Sequence, residues 1–120
     1  MNITEGVTFE GASLSLKSET TLSLYFRSSA GVLEFSCSDG KTVEKAAPGN
    51  YQVARIRGIK ASELGKTFTL TVTVGGTDYT VNYGPMIYCH NVLNGDYETD
   101  LKNMCKALYI YWFEADRYFN

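Results

Sequence analysis

Hydrophobic and polar residues alternate along most of the first two thirds of the chain and change period near residue 84. Residues 7–10 begin the pattern, and residues 12–16, ASLSL, alternate as a half-buried strand does. In residues 21–26, TLSLYF, the positions Leu22, Leu24 and Phe26 fall on one face. Residues 28–31 make a turn, and a strand over 32–37 puts Leu33, Phe35 and Cys37 on one side. Asp39-Gly40 is a turn signal because both residues tolerate positive φ. The segment 41–46 is then expected to pair back as a hairpin. After Pro48-Gly49-Asn50, a strand over 51–59 is expected with Tyr51, Val53 and Ile56 inward. Residues 61–65 fit a single helical turn stopped by glycine. Residues 67–74 alternate without a fault, Gly75-Gly76 turns the chain, and 78–83 returns with Tyr79, Val81 and Tyr83 on one face.

Past Gly84-Pro85 the period becomes helical, with proline placed for a first turn. A short helix over about 85–93 carries Met86, Cys89 or His90, and Leu93 along one side. A longer helix over about 98–118 carries Leu101, Met104, Cys105, Leu108, Tyr111 or Trp112, Ala115, Tyr118 and Phe119 at the i, i+3, i+4, i+7 spacing of a buried stripe. The predicted fold is mainly β: one domain over 1–120, an antiparallel sandwich of roughly seven or eight strands with the two C-terminal helices packed on it.

That last helix holds more aromatic residues than one buried stripe uses. Tyr109, Tyr111, Trp112, Phe113, Tyr118 and Phe119 all lie in the final fifteen positions. Tyr109 and Phe113 are four apart, on a side shared with Lys102, Lys106 and Arg117, and Trp112 borders it. A broad contact with a curved sheet would absorb them. A partner-binding patch of Tyr109, Trp112 and Phe113 flanked by Arg117 is the sharper expectation. A second candidate surface is the strip of Arg55 and Arg57, alternate residues of one strand, which could meet an acidic partner or an anionic sugar.

Composition narrows the choices. At 44% hydrophobic and 20% charged residues, the chain is globular in character, and 120 residues suffice for a core without a metal. A net charge of −2 and the lack of a basic run give nucleic-acid binding little support. No apolar run approaches the ~20 residues of a membrane span. The start, MNITEGVTFE, shows neither a basic nor an apolar leader segment, which suits a cytosolic protein or a mature piece of a larger secreted one. Catalytic signals are weak. The single histidine, His90, neighbours Cys89 on a helix, where side chains diverge by ~100°. No two carboxylates stand out, no phosphate-binding glycine motif occurs, and three cysteines with one histidine lack zinc-ligand spacing. We therefore expect no enzyme activity, no cofactor and no metal. The cysteines fit small buried hydrophobes, with a Cys89–Cys105 bridge open if the two helices pack side by side.

Four stretches carry a resemblance: ASLSL…TLSLYF, LGKTFTLTVTVGGTDYTVNYGP, MIYCHNVL, and the closing KALYIY…AD followed by YF. Together they are similar to the C-terminal β-plus-helix modules of secreted and cell-wall-attached proteins of gut Firmicutes, most of them uncharacterised. The specific part is about the last 35 residues. Lys106, Ala107, Leu108, Tyr109, Tyr111, Ala115, Asp116, Tyr118 and Phe119 follow the pattern, whereas Trp112-Phe113-Glu114 stands where such modules have small or amide residues. The resemblance implies an extracellular, non-catalytic accessory module of a larger protein. The leading expectation is a monomeric binding or adhesion module for another protein, for instance a host immunoglobulin. A carbohydrate-binding module is the alternative, and a structural spacer the third.

Overall fold

The computed structural model describes residues 2–16 and 19–119, with side chains described as far as Tyr111. Among the described residues eight strands form two antiparallel sheets, and two helices follow. The strands are β1 (Asn2–Thr4), β2 (Val7–Ser15), β3 (Thr20–Ser28), β4 (Glu34–Cys37), β5 (Val43–Ala46), β6 (Gln52–Ile59), β7 (Phe68–Val74) and β8 (Thr77–Tyr83). The helices are α1 (Pro85–Asn94) and α2 (Thr99–Phe119). The larger sheet runs β1-β2-β3-β6-β5 and the smaller β4-β7-β8.

The predicted sandwich is therefore the observed architecture. Its core comes from the alternation. Leu22, Leu24 and Phe26 of β3 and Ala54 and Ile56 of β6 face Phe68, Leu70 and Val72 of β7, all at or near zero exposure. Fully burying one such side chain is worth about 1.5–3 kcal/mol. Phe26 stacks between Phe9 and Phe35, with ring centroids 5.4 and 5.5 Å away, so β2, β3 and β4 meet at one ring. The hairpin β7–β8 has the two-residue Gly75-Gly76 turn, both at positive φ (58° and 79°), which only glycine adopts without strain.

Four local expectations are corrected. The segments at 7–10 and 12–16 are one strand, β2, bent by a bulge at Gly11. A short strand, β1, precedes it and pairs Asn2 with Thr8 and Thr4 with Val7. The segment after Asp39-Gly40 does not fold back on β4. It crosses to the other sheet, where β5 pairs with β6, Val43 opposite Ile56 and Glu44 opposite Arg55. Lys41 anchors that crossing: its ammonium bonds the Glu63 carboxylate at 2.6 Å and the Gly58 carbonyl at 3.1 Å. Finally, Tyr51 does not point inward. It precedes β6, and its ring packs edge-on to Tyr25 at 5.8 Å, with the Arg27 guanidinium 5.0 Å above it. Val53, opposite Tyr25 in register, is buried on that outer side, whereas Ala54 and Ile56 belong to the core.

The helices cover what the strands leave bare. β1 shields β2 only around Val7 and Thr8, and α1 then lies against β2. Its buried residues are Pro85, Tyr88, Cys89 and Val92, so Tyr88 and Val92 replace the expected Met86 and Leu93 as its most buried positions. Helix α2 packs on α1 and on the short 3-10 turn Ala61–Glu63, with Cys105 and Leu108 buried and Leu101 and Met104 half-buried. Gly84 lets the β8–α1 junction pass close to the Lys66 main chain. A methyl group there would collide with the Lys66 carbonyl oxygen.

Two outcomes follow for stability. Gly84→Ala should lower the urea midpoint by the equivalent of roughly 2 kcal/mol or more, although φ at Gly84 is ordinary extended backbone, because the clash is with main chain. The Lys41–Glu63 pair should give a pH signature. Burial pushes the Glu63 carboxyl up, but hydrogen bonds from Lys41 and the Lys60 amide, with the charges of Lys41 and Lys66, hold it below the usual carboxylate range. Its folded value thus lies below its unfolded one. The contribution is present above about pH 4.3 and is lost as pH falls through the folded value. Urea titrations from pH 7 to pH 2 should show wild type losing this increment, and Lys41→Met, weaker by roughly 1–3 kcal/mol at pH 7, losing less on acidification.

Candidate functional site

Two surfaces stand out, and they differ in chemistry. The first is on α2. A helix packed along one side, as α2 is on α1 and the Ala61–Glu63 turn, buries a stripe and exposes its other positions. Here the exposed part includes Tyr109 at 50% exposure, Ile110 at 62% and Tyr111 at 57%. Successive helical residues are ~100° apart, so these three wrap about 200° of the helix surface. Asn103, Lys106 and Ala107 are exposed one to two turns earlier and continue the outer side. Along its margin runs an apolar groove of about 420 Å³ between α2 and the sandwich end, with Leu64, Met104 and Leu108 among its more buried lining and the exposed Leu16 and Tyr111 among the rest.

Of the residues expected here, Tyr109 is placed on the outer side of the helix as anticipated. Trp112, Phe113 and Arg117 lie on α2, but their side chains are outside the described residues. Ile110 is the residue the aromatic count overlooked. It sits two positions beyond the buried Leu108, which is the signal that would have found it. The stripe holds at 101, 104, 105 and 108, Tyr111 does not enter the core, and the expected continuation at Ala115, Tyr118 and Phe119 lies outside the residues whose side chains are described.

The second surface is the outer face of the larger sheet. The rows there are set by register. Ser13 pairs with Ser23, Ser23 with Arg55, and Arg55 with Glu44, so four polar residues cross four strands in line. With Ser15, Thr21, Tyr25 and Arg57 they line an open cleft of about 410 Å³. The Tyr25 hydroxyl and the Ser13 hydroxyl are hydrogen-bonded at 3.0 Å. Arg55 and Arg57 do share this face, as expected, but the strip is not a basic one. Glu44 accepts from Arg55 at 3.2 Å and from Arg57 at 2.8 Å, and Glu19 accepts from Arg57 at 2.6 Å. Two arginines and two glutamates cancel. The hydrogen bonds from Arg55 and Arg57 hold the Glu44 carboxyl below its usual range, and donating to Glu19 and Glu44 raises the Arg57 guanidinium further. An acidic partner or an anionic sugar would have to displace these carboxylates first.

Groups with reactive potential are scattered. His90 is exposed, and its ring nitrogens lie 3.2 and 3.4 Å from the Asn94 amide of the next helical turn. Among the described residues no three His, Cys, Asp or Glu side chains come together as a metal-holding group. Among them, too, no helix is long and apolar enough to cross a membrane.

The two sides of α2 should separate in mutagenesis. Leu108→Ala should cost about 2–4 kcal/mol in a urea titration, whereas Ile110→Ala should stay within about 0.5 kcal/mol of wild type. Equal losses at both positions would place Ile110 in the core.

Comparison with protein-family models, with curated proteins and with solved structures found no match to this chain in any of the three.

Proposed function

We propose that the chain is a non-catalytic binding module that docks another protein through the outer side of α2. The observation that carries this reading is the exposure of Tyr109, Ile110 and Tyr111, three successive large apolar side chains on one helix. Surface apolar clusters of this size cost solubility and mark interaction sites when they persist. Their arc selects the mode of binding. Tyr109 and Tyr111 are ~200° apart, so their rings form no common flat platform on which a sugar could stack. A groove in a partner can wrap such a helix, taking residues at 103, 106, 107 and 110 along its length. Exposed Lys106 on the same side favours a groove with an acidic rim.

The resemblance to modules of secreted and wall-attached proteins supports an extracellular setting, in which the partner is another secreted protein, host immunoglobulins included. Carbohydrate binding is the second reading, favoured by one observation: the hydroxyl-lined cleft of Ser13, Ser15, Thr21, Ser23 and Tyr25 on the outer sheet face, with its charges internally balanced. A neutral glycan suits such a surface better than an anionic one.

The experiment is a binding screen against purified secreted proteins, immunoglobulins among them, alongside a glycan array. It compares wild type with Ile110→Asp/Tyr111→Ser and with Tyr25→Ala/Arg55→Ala, each checked by circular dichroism. The α2 reading expects a protein ligand whose affinity falls at least about 10-fold in the helix variant, the scale of a moderate hot spot, and is unchanged in the sheet variant. A folded helix variant that binds the protein ligand like wild type overturns it. A glycan hit lost only in the sheet variant replaces it with the second reading.

A further inference from the structure

Helices α1 and α2 meet along a short interface, and one cysteine from each is buried in it. Cys89 is 1% exposed and Cys105 is fully buried, and both belong to the same core cluster where the two helices pack together. The third cysteine is placed apart. Cys37 ends β4, at the edge of the smaller sheet opposite β8, whereas α1 leads out of β8. So three cysteines resolve into one facing pair and one single. The geometry points to a disulfide between Cys89 and Cys105 as a modification of this protein in an oxidising compartment, fastening α2 to α1 and through it to the sandwich. This inference is independent of what α2 binds.

The chemistry is a two-step exchange with a small disulfide such as oxidised glutathione. The thiolate of one cysteine attacks a glutathione sulfur, forming a mixed disulfide and releasing one glutathione thiolate. The second cysteine loses its proton to water and attacks the protein-bound sulfur, releasing the second glutathione. Two protein thiols are oxidised and one glutathione disulfide is reduced to two thiols. Timing is constrained by burial. Burial, with the Cys105 thiol alongside, pushes the Cys89 thiol up to about 12, so in the folded protein almost no thiolate is available and no oxidant reaches it. The link therefore closes while the helices are still docking and is afterwards shielded from reductants. Sequence separation sets the scale of the benefit. A loop of 105 − 89 = 16 residues is short, and closing it should raise the Tm by about 10 °C.

The test is to unfold and reduce the protein, refold it in a glutathione redox buffer or in excess reductant, alkylate the remaining thiols under denaturing conditions, and digest with trypsin. Cleavage places Cys37, Cys89 and Cys105 in the separate peptides 28–41, 67–102 and 103–106. The expected result is a refolded protein about 2 Da lighter than the reduced one, with peptide 67–102 joined to 103–106 and Cys37 alkylated. The Cys37→Ser variant should form the same link. Three alkylated cysteines after oxidative refolding, or links to Cys37 as abundant as the 89–105 link, overturn the proposal. Because the reading comes from wild type under two conditions, it does not depend on whether serine is tolerated at the buried positions.

Discussion

The structure depends on one layer of apolar side chains held between two sheets. Leu22, Leu24 and Phe26 on β3 and Phe68, Leu70 and Val72 on β7 are all fully buried, and they occupy every second position of their strands. Burying these side chains offsets the conformational entropy of ordering eight short strands. Everything else is arranged around keeping this layer closed. At one side β4 and β5 approach each other, and at the other β1 approaches β8. β1 is only three residues long, so that second side is incompletely sealed. The helices complete it: α1 supplies Tyr88, Cys89 and Val92, and α2 backs α1 with Cys105 and Leu108. The functional consequence follows from this division of labour. Over residues 101–111 helix α2 is held by a narrow stripe, and Tyr109, Ile110 and Tyr111 are left exposed.

Polar interactions play a different part. The outer face of the larger sheet is stitched by Arg55, Arg57, Glu44 and Glu19, half-exposed ion pairs of the kind that contribute little to stability individually. Their effect is on recognition, since they remove the positive strip that two neighbouring arginines would otherwise present. Lys41 and Glu63 are a different case. That pair is largely buried, bridges the crossing strand to the turn before β7, and fixes a connection that turn chemistry alone leaves open.

How much of this was legible in the sequence follows from how local each feature is. The β7–β8 hairpin was fully legible, because a faultless alternation and a Gly-Gly turn define it without reference to the rest of the chain. Both helices were legible to within a residue or two from Pro85 and the 3.6 period. The partner of β5 was not, because Asp39-Gly40 turns the chain equally well into a hairpin or into the opposite sheet, and the choice is made by Lys41 and Val43 contacts far away in sequence. Tyr51 was misplaced because Val53 and Ala54 are both buried, one on each face, which defeats a period-two count. β1 was invisible: three residues reading NIT carry no pattern. For the candidate sites, the exposed side of α2 was half legible. The aromatic excess pointed to the helix, yet Ile110 emerged only once the buried stripe was located. That Arg55 and Arg57 share a face was legible. Their neutralisation was not, since Glu44 and Glu19 reach them only through strand pairing.

The central claim is that α2 commits one side to the core and leaves the other open, and side-chain footprinting tests it most directly. Native monomeric protein would be labelled with a carbene or hydroxyl-radical reagent and each residue of 101–111 quantified by mass spectrometry against the unfolded chain. The account predicts Tyr109, Ile110 and Tyr111 labelled at close to half or more of their unfolded level, with Cys105 and Leu108 protected. Protection of Tyr109, Ile110 and Tyr111 to the level of Leu108 in the monomer would contradict it, and would make the whole circumference of the helix part of the core.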